Sequence, residues 1–240
     1  MPPDPTILAF DTSAAHCAAA LLSEGRIVRS QTESMPTGQA ERLIPMLEEV
    51  LAAAGLSWRG IDAIAVGTGP GNFTGLRIAV AAARGFALAL GIPAVGVSAF
   101  RVMAAQAQRP EGAGGAAGPL LVTLAGPRGA LHAAPVALAA GAAGGAAVAE
   151  AGAPFLLDPS APALPAGLLP VRVAGTAGRA VGAALGLPGE DLPEIADAGI
   201  IARLAAARLA TGDPVPRPAP LYVRPADAAP PSQPPPVILP

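Results

Sequence analysis

The residues with chemistry to offer sit in two short stretches. Asp11-Thr12-Ser13 closes the first apolar run, and Gly67-Thr68-Gly69-Pro70-Gly71-Asn72-Phe73-Thr74-Gly75-Leu76-Arg77 joins a later apolar run to a helical one. A carboxylate with two hydroxyls can orient a metal-bound nucleotide, although the same residue types also favour simple tight turns. A glycine loop running into a helix offers unpaired N–H donors and the positive end of the helix dipole, which suits an anion. Asp11, Thr12, Ser13, Gly69, Gly71 and Asn72 are therefore the candidate anion or nucleotide groups. The competing reading of the loop is structural. Its glycines reach backbone angles closed to side chains, Pro70 stiffens the turn, and the helix comes close to the sheet.

Other chemistries lack their residues. The loop fits neither the Walker pattern nor the dinucleotide fingerprint, and all 15 basic residues are arginine, so a phosphate-gripping or Schiff-base lysine is excluded. The two histidines, His16 and His132, lie far apart in strand-like runs and form neither an HxxxH nor an HExxH pair. Both read as strand histidines without catalytic duty. Asp62 and Asp158 stand alone and read as surface or capping groups. The sequence thus assigns no catalytic residue and no metal ligand.

The positioning elements follow from periodicity. Ile7 to Phe10, His16 to Leu22 and Arg26 to Thr32 read as a three-strand meander, with Ser23-Glu24-Gly25 as a hairpin turn. Gln39 to Ala54 carries Leu43, Ile44, Leu47, Val50, Leu51 and Ala54 at helical spacing, with Pro45 an oddity and Met46 read as lying off the stripe. Ile61 to Val66 is a strand, Thr74 to Leu90 a helix, Ala94 to Val97 a strand, and Ser98 caps a helix to about Gln108. The order is βββαβαβα. On the second helix Gly75, Ala79, Ala82, Ala83 and Phe86 form a small-residue strip that would let another helix approach.

Beyond this the pattern thins. Arg109 to Pro119 reads as a glycine-alanine linker between lobes, and 226–240 as a Pro-rich disordered tail. Between them Leu120 to Leu124 and Leu131 to Leu138 read as a hairpin around Gly126-Pro127-Arg128-Gly129. Val171 to Ala174 reads as a strand, and Ile195 to Ala210 as a helix that can pack back on the first lobe. The domains expected are 1–109 and 110–225.

Composition sets bounds. A net charge of -2 leaves no electrostatic footprint for nucleic acid, so a partner would supply the basic surface for any RNA. One cysteine forms no internal disulfide, which matches a reducing cytosol. The N-terminal stretch has no basic region ahead of its apolar run, and the uncharged stretch 129–149 is too rich in alanine and glycine for a membrane span.

ILAFDTS at 7–13, QAERLIPMLEEVL at 39–51, VGTGPGNFTGLRIAVAAARGFA at 66–87 and LYVR at 221–224 together resemble the TsaB (YeaZ) family. The resemblance implies an α/β, two-lobed actin-like (ASKHA, RNase H-like) fold with a degenerate second lobe. It implies a cytoplasmic, non-catalytic partner of TsaD, the transferase that makes threonylcarbamoyladenosine at tRNA position 37. TsaE joins that complex, tRNA is met only through it, and a homodimer forms when the chain is alone. The implied contacts are Glu41, Arg42, Pro45 and Met46 on the first helix, and Thr74, Arg77, Ala79, Ala83 and Phe86 on the second. An Ala83→Arg variant is then expected to block pairing without unfolding the chain. No cofactor of its own is implied, with ATP or ADP at the complex interface left open. The sequence departs from the family pattern in Gln39-Ala40, where relatives usually carry His-Ser, and in Ala125-Gly126-Pro127-Arg128, where they often carry an acidic and arginine-containing turn. The rival readings are an actin-like ATPase or kinase using Asp11 and the glycine loop, and a protease, for which nucleophile and base are missing.

Overall fold

A computed structural model describes residues 2, 4–107, 119–140, 146–193 and 197–223. The linker from 108 to 118, residue Ile195, Arg224 and the tail lie outside the described residues. The first sheet is built from β1 (Ile7–Asp11), β2 (His16–Ser23), β3 (Arg26–Ser34), β4 (Ala63–Gly67) and β5 (Ala94–Val97), in the order β3-β2-β1-β4-β5. The meander is antiparallel, while β4 and β5 run parallel to β1. Its turn at Glu24-Gly25 has positive φ at both residues, 50° and 70°, which matches the right-handed strand twist. α1 (Gln39–Ala53) connects β3 to β4 and α2 (Phe73–Leu90) connects β4 to β5.

The second sheet repeats the plan with different strands. β6 (Leu120–Ala125), β7 (Leu131–Ala140) and β8 (Ala146–Glu150) form an antiparallel meander, with β9 (Phe155–Leu157) paired to β7. β10 (Arg172–Gly175) and β11 (Gly189–Asp191) add in parallel, giving the order β11-β10-β6-β7-β8. Read outward from β6, this is the order of the first sheet. α4 (Gly178–Leu185) sits between β10 and β11 as α2 sits between β4 and β5. No helix corresponds to α1 among the described residues, so the second lobe is the degenerate one. The two-lobed actin-like fold read from the sequence is the one the chain adopts.

The helix following each sheet crosses to the other one. α3 (Ala99–Gln106) packs on β6, β7 and β8, while α5 (Ala198–Ala210) packs on β1, β2, β4 and β5. The central core therefore lies between the sheets, where Ile7, Ala65 and Val97 meet Phe100, Met103, Val122, Ile201 and Ala205. β1 is buried on both faces because Leu8 and Phe10 point the other way, into a second core with Leu43, Leu47, Ile64, Leu76 and Val80. Full burial of such a side chain contributes about 1.5–3 kcal/mol each. α2 has the length and apolarity of a membrane-crossing segment. In this fold it buries one face on the sheet and carries Arg77 and Arg84 among its exposed residues.

The structure extends the sequence reading and corrects it. β8, β9, α4 and β11 were not foreseen, and α5 begins at Ala198. Met46 was expected outside the stripe of α1 but is fully buried, whereas Ile44 is 47% exposed. The inward positions are Leu43, Met46, Leu47, Val50 and Leu51, a 3-1-3-1 spacing that places Met46 on the stripe and Ile44 off it.

Candidate functional site

The β1–β2 turn and the glycine loop interlock. Asp11 Oδ1 accepts from Ser13 N at 2.9 Å, from Ser13 Oγ at 2.8 Å and from His16 Nε2 at 2.9 Å. Asp11 and His16 are both buried, so a carboxylate and an imidazole satisfy each other inside the fold. Thr12 Oγ1 donates to the Gly75 carbonyl at 2.7 Å, and Asn72 N donates to the Ser13 carbonyl at 2.5 Å. Asn72 caps α2, accepting from Thr74 N and Gly75 N at 3.0 and 3.1 Å.

These bonds explain the glycines. A Cβ on Gly75 would lie 1.9 Å from the Thr12 carbonyl oxygen, one on Gly71 2.2 Å from that of Ser13, and one on Gly67 1.7 Å from Asp11 Oδ2. Gly69 has φ 80° and precedes a cis peptide bond to Pro70. Close approach of α2 to the turn is thus the loop's structural task. Of the candidate nucleotide groups, Asp11, Thr12, Ser13 and Asn72 are engaged with partners inside the chain. The cavity beside Ser13, Pro70 and Gly71, facing Met103 and Leu124, measures about 60 Å³. That is the space of roughly two waters, far below a nucleotide pocket.

The outward faces of α1 and α2 carry a different set of residues. At the start of α2, the Arg77 guanidinium lies 3.7 Å from the centroid of the Phe73 ring, and its Nε donates to the Tyr222 hydroxyl at 2.9 Å. The Phe73 and Tyr222 rings tilt against each other at 5.8 Å. Phe73 and Tyr222 remain about half exposed, and Leu88 at the other end of α2 is 84% exposed. Aromatic residues held in place by an arginine lose little freedom on docking, which favours them as contact anchors.

The expected contact residues divide. Glu41, Pro45, Thr74 and Arg77 are exposed. Met46, Ala79 and Ala83 are not contacts: all three are fully buried in the chain's own core. The small-residue strip faces the sheet and the β1–β2 turn, because Gly75, Ala79 and Ala83 share the buried side of α2 with Leu76 and Val80. Phe86 is half-buried and stacks on Trp58 at 4.4 Å. Arg42 is engaged at home, bidentate to Glu33 and to Glu49 with a shortest approach of 2.5 Å to Glu33 and 2.7 Å to Glu49. The Ala83→Arg test consequently changes meaning. The charge would enter a closed core, so loss of the folded state, read by circular dichroism, is the expected outcome.

The arginine fork sets a pH dependence. Hydrogen bonds from Arg42, helped by Gln31, hold the Glu33 carboxyl below its ordinary range and bring that of Glu49 down to about 2. Carboxyls depressed in the folded state stabilise it above their unfolded values near about 4.3, and that contribution disappears as pH falls toward 2. Melting curves of Arg42→Gln should therefore fall below those of the parent chain at pH 7, with the gap closing in acid. Burial, assisted by Glu33, pushes the Cys17 thiol up to about 11, so it stays protonated in the core.

Four exposed residues escaped the sequence reading: Ile44, Phe73, Leu88 and Tyr222. A signal existed for Leu88, an apolar residue on the same face as Arg77, Ala81 and Arg84. The LYVR stretch marks Tyr222, but nothing in the sequence points to the arginine it meets, 145 positions away.

The two repeated sheets, the crossed helices and the locked glycine turn define a two-lobed α/β protein of the actin-like class. A family model described as TsaD, tRNA N6-adenosine threonylcarbamoyltransferase, matches residues 33–150. The tRNA threonylcarbamoyladenosine biosynthesis protein TsaB of Escherichia coli (strain K12) is 41% identical over 107 residues, 45% of this chain and 46% of that protein. Its Haemophilus influenzae counterpart is 38% identical over 99 residues, 41% of this chain and 42% of that protein. The chain thus matches a little under half the length of these curated relatives. Among solved structures, YeaZ from Pseudomonas aeruginosa superposes with a TM-score of 0.71 at 30% identity, covering 91% of this chain and 99% of that one. A second structure, of a protein with similarity to peptidase YEAZ from the same organism, gives 0.72 at 32% identity, covering 92% and 100%. The chain belongs to the TsaB (YeaZ) family.

Proposed function

We propose that the chain is a non-catalytic subunit of the machinery that makes threonylcarbamoyladenosine at tRNA position 37, and that it pairs with the TsaD transferase. The observation that carries this reading is the exposed set on α1 and α2: Ile44, Phe73, Arg77 and Leu88, with Tyr222 locked onto Arg77. Family membership and the names of the curated relatives give the pathway. The chain acts by docking, and the docked helices hold the transferase in its competent shape. TsaE joins the pair, and tRNA is contacted through the assembly in the cytoplasm. The chain holds no cofactor of its own, and any ATP or ADP sits at the surface shared with TsaD. Alone, the chain closes the same face with a second copy.

Reconstitution tests this. TsaD and TsaE from the same organism, ATP and the AMP conjugate of threonylcarbamoyl are combined with tRNA, with and without this chain. Modification that depends on the chain, together with its co-elution with TsaD, is the expected result. Full modification without it overturns the proposal.

A further inference from the structure

A cavity of about 830 Å³ opens between β5, the C-terminal part of α5, the end of β8 and the segment 213–221, away from the exposed faces of α1 and α2. Its volume is that of a small-molecule site. Most of its wall is apolar, with Val148, Leu204 and Pro218 prominent, and Arg101 of α3 enters that wall. Arg101 is half-buried and its Nε donates to the Val148 carbonyl at 3.1 Å, but it forms no ion pair among the described residues.

Among the described residues, none of the other charges around the cavity closes an ion pair with Arg101. Arg208 also lines it, and is pinned by Asp213 at 3.2 Å, by Thr211 Oγ1 at 2.7 Å and by the Pro214 carbonyl at 3.0 Å. Asp213 is therefore taken. Glu150 attracts Arg101 without closing an ion pair, and Arg217 adds a further positive charge at the rim. Burial, with Arg208 acting in the same direction, lowers the pKa of Arg101. A guanidinium keeps its charge under such conditions and gains from an oxyanion that fits its fork.

We infer that this cavity binds an amphiphilic oxyanion, with a carboxylate or phosphate head on the Arg101 guanidinium and an apolar body along Val148, Leu204 and Pro218. The wall is preformed, because Arg208 is already tied down by its own segment. This goes beyond the pairing function and does not depend on it.

Calorimetry on the full chain with octanoate, octyl phosphate and 1-octanol tests the inference. Saturable binding of at least one of the two anions, with 1-octanol roughly tenfold weaker or worse, is expected. Tighter octanoate marks a carboxylate ligand, and tighter octyl phosphate a phosphate ester. Arg101→Gln should weaken the anion by roughly tenfold while leaving 1-octanol unchanged. Ala207→Trp fills the cavity from an exposed position outside the core and should abolish binding of all three probes, with the fold verified by circular dichroism. Equal binding of 1-octanol and the anions, no effect of Arg101→Gln, or no saturable binding of any probe would each overturn it. Both variants should still co-elute with TsaD, so failure here is distinct from failure of the pairing function.

Discussion

Gly75→Ala is expected to destabilise the protein by about 3 kcal/mol, lowering the melting temperature by roughly 6–12 °C for a chain of this size. The new Cβ would lie 1.9 Å from the Thr12 carbonyl oxygen, a backbone atom that cannot swing aside. Relief requires α2 to withdraw from the β1–β2 turn. That would break the Thr12 bond to the Gly75 carbonyl and loosen the packing of Leu76 and Val80 on β4. Gly85→Ala on the same helix is the control. Nothing lies within 4 Å of its Cβ position, so there the substitution should stabilise by about 0.5–1 kcal/mol through helix propensity alone. Thermal melts of the two variants, read side by side, separate close packing from backbone preference. Similar melting temperatures for both would show that the loop tolerates a side chain and that its glycines have another role.

Leu88→Arg and Phe73→Ala are expected to abolish or strongly weaken pairing with TsaD while leaving the melting temperature nearly unchanged. Leu88 is 84% exposed and Phe73 55% exposed, so neither holds the core together. An uncompensated charge buried at an interface costs several kcal/mol, and removal of an aromatic anchor costs about 2–4 kcal/mol, roughly 30-fold to 1,000-fold in affinity. Phe73→Ala also removes the ring beneath the Arg77 guanidinium. Titration calorimetry with TsaD gives the loss directly. Unaltered affinity in both variants would move the contact surface off α2.

The first lobe was legible because its strands alternate or run apolar for their full length and its helices carry large side chains at regular spacing. The order βββαβαβα followed from that alone. In the second lobe, Ala146–Glu150 and Gly178–Leu185 consist mainly of alanine and glycine, which fit strand and helix equally and leave no periodicity to read. α4 even begins after Ala177 at φ 52°, a conformation no propensity scale assigns to alanine. The echo of the first lobe survives instead in single residues. Gly175, with φ 125°, closes β10 as Gly67 closes β4, and its Cβ position lies 1.9 Å from the Thr123 carbonyl oxygen of neighbouring β6.

At the site, residue types were read more accurately than their directions. Small residues on α2 suggested a surface for a foreign helix, yet Gly75 lies against the chain's own turn and Ala79 and Ala83 are buried in its own core. Met46 was placed outward and Ile44 inward, the reverse of the fold. Arg42 was assigned to a partner, but Glu33 and Glu49 compete for it from β3 and from its own helix, and neither position is informative without the pairing of α1 with the sheet. Tyr222 needed the closed fold to meet Arg77.

Hydrogen–deuterium exchange of the chain with and without TsaD tests the central claim most directly. Slowed exchange on α1, on α2 and around Tyr222, with α4, β8 and β9 unaffected, is the result this account predicts. Protection confined to the second lobe, or none anywhere at saturating TsaD, would contradict it.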